Sequence, residues 1–145
     1  MKLEDIIQSW KEDTKLDDLN LDIESTKIPN LHSKYIAILS DERIKLRSFQ
    51  TQKKILIGKL KTYYSGSSTE DDLQELQREQ FLGKVLKNEM MMNIETDPLI
   101  VSVEAKISSQ EVKVMALEEI MKSINNRGFS IKNAIDWRRL TVGGM

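Results

Sequence analysis

The sequence predicts a mainly α-helical protein, built around a hairpin of long helices and ending in a helical oligomerisation region. Three observations predict this class. Apolar residues recur at helical spacing along most of the 145 residues. Only two prolines interrupt the chain. The polar breaks between the apolar patterns are short, and they lie near residues 65–68, 93–98 and 125–128.

The first elements are a short helix and an acidic connector. Leu3, Ile6, Ile7 and Trp10 recur at helical spacing and predict a helix at the N-terminus. In residues 18–24, apolar leucine and isoleucine side chains alternate with polar ones. This alternation predicts a short strand or an extended loop.

A long helix is predicted from Pro29, which suits a first helical turn, to Tyr64. Within it, gaps of four and three residues define a coiled-coil-like seam. The apolar members of the seam are Tyr35, Leu39, Leu46, Phe49, Leu56, Leu60 and Tyr63. At 1.5 Å per residue the helix is about 50 Å long, so it must project or pair lengthwise. Gly58 costs about 1 kcal/mol relative to alanine in this helix, and a close helix crossing or a local bend would account for it.

A third helix is predicted after the break at residues 65–68, with Ser68 or Thr69 as its cap. Its apolar residues are Leu73, Leu76, Val85 and Leu86. Its first face is acidic, so we expect it to lie antiparallel to the long basic helix.

The last part of the chain is predicted as two helices separated by a stop. Apolar residues keep helical spacing from Ile100 to Ile124. Gly128 then ends this helix in the left-handed conformation. A short amphipathic helix follows from Phe129 to Leu140, and residues 141–145 form a frayed tail.

The sequence lacks the residues that several classes of protein function require. There is no cysteine, no glycine-rich phosphate loop and no His-Glu-x-x-His motif. The only histidine, His32, has no partner for general-base chemistry and is interpreted as a surface residue. We therefore expect no catalytic residue, no metal site and no cofactor. No apolar run is long enough to span a membrane, and a reducing, cytoplasmic setting is expected.

The strongest positive signal is a basic segment, residues 34–61, with eight basic and two acidic side chains. Arg47, Lys54 and Lys61 are spaced by seven, so they drift by only about 20° per step around a helix and form one stripe. Arg43 lies one turn earlier. A stripe of cations is a candidate site for a polyanion, which would relieve their repulsion and release counterions.

Two alternatives stay open for this segment. The acidic helix that starts near Glu70 could neutralise the stripe within the fold, in which case the charges serve only helix pairing. Tyr64 points about 100° away from Tyr63. It could stack on an unpaired base or pack as a turn residue.

Several short motifs carry a family resemblance. They are Lys2-Leu3-Glu4-Asp5, Gln52-Lys53-Lys54, Tyr63-Tyr64-Ser65-Gly66 and Arg127-Gly128-Phe129-Ser130-Ile131-Lys132, followed by Asp136-Trp137-Arg138. Because these motifs occur in the same order and at similar positions, the chain resembles the UvsY recombination mediators of T-even-like bacteriophages.

The resemblance implies a ring-like homo-oligomer in the cytoplasm of the infected bacterial host. It would bind single-stranded DNA, use no nucleotide, and help a phage recombinase to displace a phage single-strand-binding protein. The family segment matching residues 53–61 carries the basic residues implicated in DNA binding, but Gly58 and Leu60 stand where basic residues are expected. Either the basic surface has rotated by one residue, or the stripe through Arg47, Lys54 and Lys61 has taken over.

Two sets of site residues follow, within one helical domain of residues 1–145. We expect residues 1–92 to bind DNA and residues 97–145 to form the oligomer. The nucleic-acid-binding set is Arg43, Arg47, Lys53, Lys54, Lys59, Lys61 and Tyr64. The oligomerisation set is Phe129, Ile131, Ile135, Trp137 and Leu140. The main rival hypothesis is a coiled-coil phage assembly or scaffold protein that binds no nucleic acid, and a small regulatory adaptor is a third.

Overall fold

Six α-helices make up most of the chain in the computed structural model, which describes residues 1–143. They are α1 (Leu3–Asp13), α2 (Leu21–Thr26), α3 (Ile28–Tyr64), α4 (Glu70–Leu76), α5 (Met90–Glu95) and α6 (Pro98–Arg138). A π-helical turn, Arg139–Gly143, follows α6. The described residues contain no strand, so the mainly α-helical class is confirmed. Gly144 and Met145, predicted as part of a frayed tail, lie outside the described residues.

The described residues form two compact units. The terminal unit combines residues 1–43 with residues from 111 onward, and the central unit is Ile44–Gln110. Helices α3 and α6 each contribute residues to both units. The predicted division of roles between residues 1–92 and 97–145 therefore does not coincide with these units, and it stays a prediction.

In the terminal unit, α3 and α6 run antiparallel around an aliphatic core. Arg43 pairs with Glu118, whereas Ile28, at the start of α3, lies beside Gly128. The buried apolar residues are Ile6, Leu21, Tyr35, Leu39, Val114, Leu117, Ile120, Met121, Ile124 and Ile131. Each large side chain that is fully buried contributes about 1.5–3 kcal/mol, so this core stabilises the unit.

The central unit repeats the antiparallel pairing and adds two short helices. Lys53 pairs with Glu104, and Tyr64, at the end of α3, bonds to Asp97 at the start of α6. The core is built from buried Leu60, Ile94, Ile100 and Val103, with half-buried Leu56, Ile57, Tyr63, Tyr64, Leu76 and Met90 around it. In each unit the long partner of α3 is thus α6, whereas the sequence predicted the acidic helix that starts near Glu70 as its antiparallel neighbour.

The long helix and its seam are confirmed. Helix α3 begins one residue before Pro29 and ends at Tyr64. The seam has nine positions, the seven apolar ones together with Glu42 and Lys53, and all nine are buried or half-buried. The seam therefore points towards the cores, and the opposite side of α3 faces solvent.

The predicted strand or loop at residues 18–24 is wrong, because this segment is a turn followed by helix α2. Leu19 and Ile23 are exposed, whereas Leu21 and Glu24 are buried one helical turn apart. The alternation therefore does not form one buried face. The Asp17 carboxylate shapes the turn by accepting hydrogen bonds from the Leu19 N–H and the Asn20 amide.

The third helix is shorter than predicted. Thr69 caps α4 as expected, its hydroxyl accepting a hydrogen bond from the Asp72 N–H. The helix ends at Leu76 because Gln77 adopts the left-handed conformation, with φ of 56°. Residues 77–89 form no regular helix, so Val85 and Leu86 do not belong to α4.

The predicted stop at Gly128 is also wrong, since α6 continues through it to Arg138. The side chains around Gly128 supply the reason. Arg127 and Ile131 are both buried on one face of the helix, and burial of that face outweighs the poor helix propensity of glycine. The predicted helix from Phe129 to Leu140 is therefore the last part of α6 and the turn that follows it.

Candidate nucleic-acid interface

The outward side of α3 in the central unit is set by what its inner side buries. Leu60 is fully buried, and Leu56, Ile57 and Tyr63 pack around the same core. With this face turned inward, residues 47, 54 and 61 lie on the solvent side of the helix.

Arg47, Lys54 and Lys61 form an exposed row along α3, which we call the cationic strip. The three side chains are exposed. Among residues 1–143, none of them has an ion-pair or hydrogen-bond partner. Successive members are seven residues apart, about 10 Å along the helix. The strip is therefore a line of uncompensated positive charge.

The other basic residues of the predicted DNA-binding set are paired with acids. In the central unit, the Lys53 Nζ lies 2.5 Å from the Glu104 carboxylate, and Lys59 pairs with Glu75 of α4. The hydrogen bond to Glu75 raises the pKa of Lys59. The acidic helix α4 therefore neutralises part of the positive charge of α3, which agrees with one of the two alternatives left open by the sequence.

Arg43 belongs to the terminal unit and is paired there. Its Nη2 donates a hydrogen bond of 3.1 Å to the Glu118 carboxylate of α6. Both side chains are about half exposed, so the pair contributes about 0–1 kcal/mol and can open to solvent. Arg43 is less available to a polyanion than the unpaired cations of the strip.

Tyr64 is packed within the central unit. Its hydroxyl donates a 2.7 Å hydrogen bond to Asp97, and its ring makes edge contacts with Tyr63 and Phe81. Burial raises the pKa of Tyr64, and its contact with Asp97 raises it further. In this arrangement the ring is part of the core, which matches the packed-turn alternative and not the base-stacking one.

Sequence reasoning missed the group that holds Tyr64 in place. Asp97 is buried, and it accepts hydrogen bonds from Tyr64, from Arg78 and from the Leu99 N–H. The signal that could have identified it is the Asp97-Pro98 pair. An aspartate before a proline at N1 is typical of a helix N-cap, whereas the polar residues around it predicted only a break.

The two positions where the family resemblance implies basic residues differ in environment. Leu60 is fully buried in the central core, so position 60 cannot contact DNA. Gly58 is exposed, and a Cβ at this position would meet no heavy atom within 4 Å other than those of the adjoining turn of α3. The sequence left two alternatives for the basic surface, a rotation by one residue or the stripe through Arg47, Lys54 and Lys61. All three members of the stripe are exposed.

The predicted oligomerisation residues divide between surface and core. Phe129, Trp137 and Leu140 are 70%, 68% and 76% exposed. Ile131 is only 2% exposed and Ile135 is half-buried. Ile131 is therefore a core residue of the terminal unit and is not free to contact a second copy.

Other kinds of site are absent from the described part of the chain. Within residues 1–143, no three His, Asp or Glu side chains come together in a group that could hold a metal ion. None of the helices in this range combines the length and apolarity that crossing a membrane requires.

Comparison with known proteins gives a consistent result over nearly the whole chain. The family model described as "Recombination, repair and ssDNA binding protein UvsY" matches residues 9–144. The recombination protein uvsY of Enterobacteria phage T4 is 24% identical over 143 residues, 99% of each chain. Two crystal structures of the bacteriophage T4 recombination mediator protein UvsY superpose with a TM-score of 0.84 each. The lattice type IV structure is 24% identical and is covered to 99%, the lattice type II structure is 25% identical and is covered to 97%, and each match covers 97% of this chain.

Proposed function

The chain belongs to the UvsY family of recombination, repair and single-stranded-DNA-binding proteins, and we propose that it is a recombination mediator whose DNA-binding surface is the cationic strip of α3. In this role it binds single-stranded DNA and helps to load a phage recombinase onto strands covered by single-strand-binding protein. The family description names recombination, repair and binding of single-stranded DNA, and we propose a binding role without a catalytic residue.

The observation that carries the DNA-binding surface is the lack of partners for Arg47, Lys54 and Lys61. A DNA strand along these residues would neutralise charges that nothing else in residues 1–143 neutralises, and it would release condensed counterions. Lys53, Lys59 and Arg43 would first have to leave their carboxylates. We therefore assign them a secondary role in binding.

The proposed assembly is a ring-like homo-oligomer that presents the strip several times. A DNA strand crossing many subunits gains avidity from the high effective concentration of neighbouring sites. The exposed Phe129, Trp137 and Leu140 are the candidate contacts between subunits, because large apolar side chains in water favour burial against a partner.

The proposed mechanism is organisational. Holding the strand on successive strips would weaken its contacts with the single-strand-binding protein and present a preorganised strand to the recombinase. Phosphate contacts carry no sequence information, so we expect little dependence on base sequence. The setting we propose is the cytoplasm of the infected bacterial host.

A scaffold role without nucleic-acid binding is not favoured, because the family is described as binding single-stranded DNA. The decisive measurement is fluorescence anisotropy of a labelled single strand at several salt concentrations. For roughly four to eight neutralised phosphates, the slope of log affinity against log salt should be about −3 to −6. Binding that is absent at low salt, or that does not change with salt, would contradict the proposal.

A further inference from the structure

Gly58 is an unexpected residue in the interior of α3. The helix runs for 37 residues from Ile28 to Tyr64, and glycine is among the poorest residues for a helix interior. Alanine would stabilise the helix by restricting the unfolded chain. A glycine at such a position therefore calls for a physical reason.

The described residues supply no reason within the chain. Apart from the adjoining residues and backbone of α3 itself, no heavy atom lies within 4 Å of where a Cβ would stand at residue 58, so no neighbouring helix requires a close approach. The backbone does not require glycine either, since Gly58 is not among the residues with positive φ. The Thr62 hydroxyl donates a hydrogen bond to the Gly58 carbonyl, but any residue offers that carbonyl.

The position of Gly58 on the helix relates it to the cationic strip. Lys54 precedes it by four residues and Lys61 follows it by three, so all three lie on one face of α3. Both lysines are exposed and have no ion-pair partner among residues 1–143. A polyanion neutralised by both lysines must pass over residue 58.

We infer that Gly58 is a positioning residue for single-stranded DNA, because its missing side chain lets the sugar–phosphate backbone approach α3 between Lys54 and Lys61. The attraction between charges rises as their distance falls, so a closer DNA backbone gains from both lysines. This inference rests on the proposed DNA-binding function of the strip. It adds a steric requirement that the charges alone do not impose.

The test is a size series at residue 58, with Gly58→Ala and Gly58→Leu, and with Ser109→Leu as the matched control. Ser109 is exposed on α6 in the same unit, so this control adds a leucine to the exposed surface of a helix that does not carry the strip. Three properties are measured: the thermal midpoint, the sedimentation mass and the affinity for an oligothymidine by anisotropy.

We expect helix stability and DNA affinity to change in opposite directions. Both Gly58 variants should unfold at a higher temperature with an unchanged mass, because both residues are better helix formers than glycine. Affinity should fall roughly threefold for Gly58→Ala and tenfold for Gly58→Leu, the latter corresponding to about 1.4 kcal/mol. Ser109→Leu should leave affinity unchanged.

Two results would overturn the inference. Unchanged affinity in Gly58→Leu would mean that no DNA approaches this position. A changed sedimentation mass would mean that residue 58 faces a second copy of the chain. Failure of the proposed function is distinguishable, since the unaltered chain would then show no salt-dependent DNA binding at all.

Discussion

The guanidinium of Arg78 donates two hydrogen bonds to the carboxylate of Asp97, each 2.7 Å long. Arg78 lies in the irregular segment after α4, and Asp97 caps the start of α6 through the Leu99 N–H. The bidentate pair therefore ties residues 77–89 to the core of the central unit. Charge-assisted bidentate pairs of this kind are among the stronger hydrogen-bonded contacts in proteins.

Asp97→Asn is expected to destabilise the chain strongly. The change keeps the shape of the side chain but leaves the partly buried Arg78 without its counter-charge, at a cost of about 3 kcal/mol in the free energy of unfolding. Glu104→Gln is the matched control, because it removes a half-exposed carboxylate from Lys53 and should cost less than about 1 kcal/mol. Urea denaturation measures both, and equal costs would contradict the prediction.

The Asp97 carboxylate should also make stability depend on acid pH. Burial alone would raise the pKa of Asp97, but hydrogen bonds from Arg78, Tyr64 and the Leu99 N–H hold it below its ordinary value. A lowered folded-state pKa stabilises the fold above the unfolded value of about 3.9. That contribution is lost as the pH falls through the folded-state pKa.

The measurement is the difference in unfolding free energy between the unaltered chain and Asp97→Asn. We expect this difference to be largest at about pH 6 and to shrink at about pH 3, as the Asp97 carboxylate of the unfolded chain becomes protonated. A difference that stays constant over this range would show that the charge of Asp97 does not stabilise the fold.

The sequence was most informative where one local pattern is long. The 4–3 spacing of apolar residues located α3 to within one residue at its start, and every seam position is buried or half-buried. The same periodicity located the strip, since residues spaced by seven share a face and Arg47, Lys54 and Lys61 lie on the solvent side of the helix. Long periodic segments constrain both the core and the surface.

The features of the fold and of the candidate site that the sequence did not reveal depend on contacts between distant segments. Gly128 looked like a helix stop, because its local propensity gave no sign that Arg127 and Ile131 would be buried beside it. Likewise, charge counts could not show that Lys53 would meet Glu104, far along the chain, or that Tyr64 would bond to Asp97. Sequence reasoning therefore identified the cations but could not separate the paired from the unpaired.

Two double variants separate these classes of cation. Lys54→Ala with Lys61→Ala removes unpaired charges, so DNA affinity should fall and the salt slope should become less steep by about 0.7 for each phosphate that is no longer neutralised. Lys53→Ala with Lys59→Ala removes residues already held by Glu104 and Glu75, and it should change the slope little. Anisotropy titrations over a range of salt concentrations measure both.

Two checks accompany this comparison. Circular dichroism and sedimentation should be unchanged for Lys54→Ala with Lys61→Ala, because neither lysine has an ion-pair or hydrogen-bond partner among residues 1–143. A smaller oligomer mass would instead make these lysines structural. An equal fall in affinity in the two double variants would refute the distinction between paired and unpaired cations.

The oligomerisation surface has to be tested without disturbing the core of the terminal unit. Deleting residues 127–145 would remove Arg127 and Ile131, which are 7% and 2% exposed, and the unit would unfold for reasons unrelated to assembly. Phe129 and Trp137 are mostly exposed, and both lie on α6. Point substitutions at these two residues leave the buried face intact.

Phe129→Ser with Trp137→Ser should therefore reduce the mass of the oligomer while the helices remain. Full burial of each aromatic side chain against a neighbouring subunit contributes about 1.5–3 kcal/mol, and serine removes that contribution. DNA affinity should fall as well, since a smaller oligomer has less avidity although the cationic strip is unchanged. Analytical ultracentrifugation with circular dichroism measures the outcome. The control is Leu82→Ser with Leu86→Ser, two exposed leucines of the irregular segment, and the same mass in both double variants would refute the assignment.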